Sequence, residues 1–143
     1  KKYFTKKYYL PDIRIKLTKK LLNFANSSID LSDGLIDDLS KMINNQNLSF
    51  SLNENKIPIS KNLLKIIKMK NIQKIKLVSN GDDYQILFTA SKDKSRIIAQ
   101  TSKNLGIKIS KIGKICSNKK RSVIIDEKGK EIVLKNKGYV HQF

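Results

Sequence analysis

Ser27-Ser28-Ile29-Asp30-Leu31-Ser32-Asp33-Gly34-Leu35-Ile36-Asp37-Asp38-Leu39 runs from an extended segment through an acidic loop into a helical one. Ser27 to Leu31 reads as a short extended segment. Leu35, Leu39, Met42 and Ile43 then recur at helical spacing and predict a helix over residues 33–46. A strand that passes straight into a helix, in a chain whose other segments mix both types irregularly, predicts an α+β domain. We expect a layered domain with a central mixed β-sheet flanked by helices.

The flanking sequence supplies the remaining elements. Upstream, Pro11-Asp12 reads as a helix start, with Leu17, Leu21 and Phe24 as its apolar stripe. Downstream, Leu48-Ser49-Phe50-Ser51-Leu52 alternates as a half-buried strand does. Ser60 is placed to cap a lysine-rich helix with Leu63, Leu64 and Ile67 facing inward. Tyr84 to Thr89 reads as a buried strand, and Ser91 to Asn104 as a helix ended by Gly106. Ile107 to Ile115 and Ser122 to Leu134 read as further strands, with Lys128-Gly129 as a turn. A length of 143 residues suits one domain with one core.

Charge is distributed unevenly. The chain carries 30 Lys and Arg against 12 Asp and Glu, a net +18. Residues 21–40 nevertheless contain no basic side chain and hold Asp30, Asp33, Asp37 and Asp38. Residues 77–91 likewise lack basic residues and hold Asp82 and Asp83, so half the carboxylates lie in two cation-free windows. Only Arg14, Arg96 and Arg121 are arginines, and the basic residues are scattered. That pattern matches an AT-rich coding bias better than a nucleic-acid surface, which concentrates arginine forks or stacking aromatics. Nucleic acid is therefore not expected as a partner. No run approaches the ~18 apolar residues of a membrane span, so no membrane is expected either. The single cysteine, Cys116, suits a reducing, cytoplasmic setting. The chain opens Lys1-Lys2 rather than with methionine, and we expect it to be a piece of a longer protein.

The first acidic window places Asp30-Leu31-Ser32-Asp33-Gly34 at the strand-to-helix switch. A helix start offers backbone N–H groups and a positive dipole end to a phosphate. Ser32 can add a hydroxyl, Asp30 and Asp33 the negative charge that holds Mg²⁺ against phosphates, and Gly34 room for close approach. The same residues are equally readable as an N-cap and first-turn dipole partners, with Asp37 and Asp38 structural in either case. The second window, Ser79-Asn80-Gly81-Asp82-Asp83-Tyr84, is a turn running into a strand. Asn80 and Gly81 can both take positive φ there, and the paired aspartates call for a cation or donors. An ordinary Asn-Gly turn with solvated aspartates remains open. At the end of the chain, Tyr139 offers an aromatic face for packing or for stacking on a heterocycle.

Together, three segments resemble thiamine-monophosphate kinases. They are Asn26 to Leu35, Ser79 to Thr89, and Gly138-Tyr139 before His141, in the order and spacing of the C-terminal half of those enzymes. Pro11 with Arg14 and Ile112-Gly113 extend the resemblance over nearly the whole chain. It implies a C-terminal domain like that of aminoimidazole ribotide synthetase, and transfer of the ATP γ-phosphoryl group to thiamine phosphate. Residue by residue, it implies Asp30 and Asp33 as Mg²⁺ ligands, Ser32 as an ATP contact, and Asp82 and Tyr139 as substrate contacts. It also implies a homodimeric full-length enzyme whose N-terminal domain carries most of the nucleotide site, so this domain alone is expected to be inactive. Three departures stand out. Asn80 replaces a glycine, Gln85 a common glutamate, and Val140 with Gln142 breaks a Gly-Tyr-Asp-His-Phe ending.

Overall fold

The computed structural model describes residues 2–44, 46–78, 80–81, 84–117 and 121–133. Its helices are α1 (Lys2–Tyr9), α2 (Ile15–Leu21), α3 (Leu35–Met42), α4 (Lys61–Lys70), α5 (Lys74–Val78) and α6 (Ser95–Leu105). Its strands are β1 (Ser27–Asp30), β2 (Leu48–Asn53), β3 (Ile86–Thr89), β4 (Gly113–Ser117) and β5 (Val123–Ile125). The class is α+β, as the sequence predicts. A mixed three-stranded sheet has β2 at its centre, antiparallel to β4 and parallel to β5. Beside it, β1 and β3 form a separate antiparallel ribbon.

The ribbon lies between two apolar clusters, and the period-2 alternation of its strands decides what each face meets. Ile29, Leu31 and Leu87 pack into the larger cluster, built on Leu35, Ile36, Leu39, Met42 and Ile43 with Phe50, Leu52, Ile57, Ile75 and Ile124. Ile86 and Phe88 pack into the smaller one, built on Leu17, Leu21 and Phe24. The helical spacing of α3 thus puts one broad apolar face on the mixed sheet and fixes the start of the helix against the end of β1.

Several local expectations change. The helix at the switch is shorter than 33–46, because Asp33 and Gly34 belong to the loop before it. Ser49 is buried rather than half-exposed, because β2 is a central strand; its hydroxyl donates to the Ser117 carbonyl at 3.1 Å. Ser60 does cap α4, accepting from the Leu63 N–H at 3.1 Å, yet Leu64 is exposed and α4 buries no residue. β3 starts at Ile86 and is half-buried throughout. Of the stretch 107–115, only the part from Gly113 onward is strand. α1 and α5 are not anticipated by the sequence; α1 carries no buried residue, so no apolar stripe announces it.

Candidate functional site

The antiparallel register of the ribbon brings the two acidic windows to one end. Asp30 pairs with Ile86 at the last ladder position. Beyond it the Leu31 N–H donates to the Gln85 carbonyl at 2.8 Å, and the Tyr84 N–H donates to the Leu31 carbonyl at 2.9 Å. The first motif leaves β1 where the second enters β3, so the loops must meet. Their backbones touch at Gly81: a Cβ there would lie 2.0 Å from the Ser32 carbonyl oxygen and 3.2 Å from the Asp33 Cα. Gly81 is needed for this close approach and not for a left-handed φ, which falls instead on Tyr84, at φ 47°. Tyrosine in that region is strained by steric contact of its Cβ.

The loop before α3 is held by Asp38. This carboxylate is 1% exposed, and its Oδ2 accepts from the backbone N–H groups of Ser32 at 2.9 Å, Asp33 at 3.0 Å and Gly34 at 3.2 Å. Those donors, which the sequence offers to a phosphate, are therefore already committed within the loop. Three charge-assisted bonds satisfy a buried carboxylate that would otherwise be costly. Gly34 is the residue before the helix, at φ 115° and ψ 151°. That conformation is open essentially to glycine alone. Neither Asp30 nor Ser32 caps the helix, since the residue at the cap position is Gly34.

The acidic side chains divide into two sets. Asp33, Asp37 and Asp38 offer carboxylate oxygens within 4.8 Å of one another. Asp30 stands outside this group, exposed at the end of β1. Ser32 is exposed and Asp33 half-buried in the connecting loop. Asp82 and Tyr139 lie outside the described residues. An all-carboxylate oxygen set where a loop enters a helix suits a hard divalent cation such as Mg²⁺.

Two features of the site escape the motif reading. Lys41 places its ammonium among the three clustered carboxylates: it donates to Asp33 Oδ2, pairs with Asp37 Oδ2 at 2.8 Å and lies 3.9 Å from Asp38 Oδ1. Hydrogen bonds to Asp33 and then to Asp37 hold its pKa well above the usual lysine range. The Asp37-to-Lys41 spacing of four residues is the sequence signal for this pair. Arg14 meets Gln85, with 3.5 Å between its guanidinium nitrogen and Oε1, and lies 3.6 Å from Asp12. The residue before α2 thereby reaches the start of β3.

No family model matches the chain. Thiamine-monophosphate kinase of Buchnera aphidicola subsp. Schizaphis graminum is 37% identical over 139 residues, which is 97% of this chain and 42% of that protein. Among solved structures, AaThiL complexed with AMPPCP and TMP superposes with a TM-score of 0.73 at 24% identity, over 96% of this chain and 40% of that one. Thiamine monophosphate kinase from Aquifex aeolicus gives a TM-score of 0.65 at 25% identity, over 88% and 39% of the two chains. Along nearly all of its length the chain is thus related to thiamine-monophosphate kinases, of which it spans less than half.

Proposed function

We propose that this chain is the C-terminal domain of a thiamine-phosphate kinase, contributing Mg²⁺–phosphate and substrate contacts to transfer of the ATP γ-phosphoryl group onto thiamine phosphate. The observation that carries this reading is the meeting of the two acidic motifs, Gly81 against the Ser32 carbonyl. The complex of AaThiL, alike in fold, with AMPPCP and TMP supports a nucleotide and a phosphate ester as the two reactants.

In this reading Asp30 and Asp33 hold Mg²⁺, Ser32 contacts ATP, and Asp82 and Tyr139 contact thiamine phosphate. Bound Mg²⁺ supplies charge neutralisation between the two anionic reactants. The chain's own residues do the rest. Asp38 sets the path of the Ser32–Gly34 loop through its three N–H contacts. The backbone bonds at Leu31 and Tyr84 fix the spacing of the two loops, and so of whatever each binds. No general base is required, because the accepting phosphate oxygen is already ionised near neutral pH. The full-length enzyme is proposed to be a cytoplasmic homodimer, its N-terminal domain completing the nucleotide and metal site. Among the described residues no helix is long and apolar enough to cross a membrane.

The test is formation of thiamine diphosphate by the full-length protein from ATP, Mg²⁺ and thiamine phosphate, beside an Asp30→Asn variant. Product from the wild type, and a fall of about 100-fold in the variant, is the expected result. Turnover by residues 1–143 unaided would overturn the domain assignment. A folded full-length protein that makes no thiamine diphosphate, and whose melting temperature thiamine phosphate leaves unmoved, would point to another phosphate acceptor.

A further inference from the structure

We propose that Lys41 is a built-in counter-cation that occupies the approach to Asp33 and must leave before a divalent metal binds there. The inference rests on the reading of Asp33 as a metal ligand and goes beyond it, to what sets the metal affinity. Lys41 makes its contacts through an ammonium, which is a cation of one charge where the metal carries two. Its Nζ takes Asp33 Oδ2, the half-buried carboxylate of the loop, and Asp37 Oδ2 at 2.8 Å. Asp38 is the weakest of the three partners, since its Oδ2 is spent on three backbone N–H groups and its Oδ1 lies 3.9 Å from the ammonium. A metal arriving at Asp33 therefore competes with the ammonium for the same oxygen.

Release is feasible. The Lys41 side chain is 48% exposed, on a four-carbon stem that can carry the ammonium into water. It stands in the last turn of α3, where a cation is favoured by the helix dipole with or without the aspartates. The device keeps mutually repelling carboxylates compact when no metal is present. Its consequence is a weaker apparent metal affinity than the bare carboxylate set would have. Competition from an exposed ion-pair network of this kind reduces the affinity by about three- to fivefold.

The experiment is a Mn²⁺ titration of the 143-residue chain, reading paramagnetic broadening of the Gly34 and Leu35 amide resonances, with no substrate and no turnover. Lys41→Met should shift the midpoint to about three- to fivefold lower Mn²⁺. Lys41→Arg, which keeps the charge, should stay near wild type. Lys61→Met, on the exposed side of α4, corrects for the lost unit of net charge and should shift little. Equal midpoints for wild type, Lys41→Met and Lys61→Met would overturn the role of Lys41 and leave the metal ligand in place. Absence of broadening at Gly34 in all variants would overturn the metal reading of Asp33 and the inference with it.

Discussion

Removing the Asp38 carboxylate tests whether one buried side chain shapes the loop that carries Ser32 and Asp33. Asp38→Ala deletes the acceptor for the N–H groups of Ser32, Asp33 and Gly34. A hydrogen bond to a charged group contributes about 1.5–3 kcal/mol net. The three share a single oxygen, and Ser32 is exposed enough for water to replace its partner, so they do not add in full. The buried Gly34 N–H, by contrast, is left without a substitute. We expect a loss of about 3–5 kcal/mol, the scale found when a buried charged contact is broken. With a urea slope of about 2 kcal/mol/M, the unfolding midpoint should fall by about 1.5–2.5 M. Asp38→Asn retains an acceptor oxygen and should lose about 1–2 kcal/mol, the change from a charged to a neutral acceptor. Urea unfolding followed by circular dichroism at constant slope reads both. An Asp38→Ala variant within about 1 kcal/mol of wild type would refute the argument, because the N–H groups would then be satisfied without the carboxylate.

Three further outcomes follow from the same geometry. Gly81→Ala places a methyl 2.0 Å from the Ser32 carbonyl oxygen, a backbone atom, so the loops must part. A stability loss of about 1–3 kcal/mol in urea and a fall of about 100-fold in thiamine diphosphate formation by the full-length protein are expected. Gly34→Ala must sustain φ 115°, and should cost about 1–3 kcal/mol by the same unfolding assay. Lys74 donates to the Glu54 carbonyl at 2.6 Å, and burial lowers its pKa against the opposing pull of Glu54. Between that lowered value and 10.5 the unfolded chain binds more protons than the native one, so stability rises with pH in that window. Thermal melts of wild type and Lys74→Met across it should show a smaller rise in the variant.

What could be read from the residues was what local pattern encodes. The apolar spacing of Leu35, Leu39, Met42 and Ile43 defines a helix face wherever its partner lies, and all four are buried. The extended Ser27–Leu31 stretch and the apolar Ile86–Phe88 run likewise carry their strands, and the sequence carries the cap of α4 at Ser60. Long-range pairing is different in kind. Nothing in Asp30-Leu31-Ser32-Asp33-Gly34 says which distant segment lies against it; that follows from the register Asp30 to Ile86 and from Gly81 having no side chain. The choice among four aspartates is also tertiary. Asp37 and Asp38 are neighbours in one helix, yet 100° of helical rotation sends Asp38 inward to the loop N–H groups and leaves Asp37 at the surface with Lys41. A motif reading treats them as equivalent first-turn acids, because the dipole argument depends on distance from the helix end and not on which way a side chain points. The direction is decided by the apolar face. Once Leu35, Ile36 and Leu39 turn toward β2, the residue between Ile36 and Leu39 that shares their inward arc is Asp38, and a buried carboxylate there must collect donors. The loop that supplies them is the one bearing Ser32 and Asp33, so core packing and the shape of the candidate site are set by the same turn of helix.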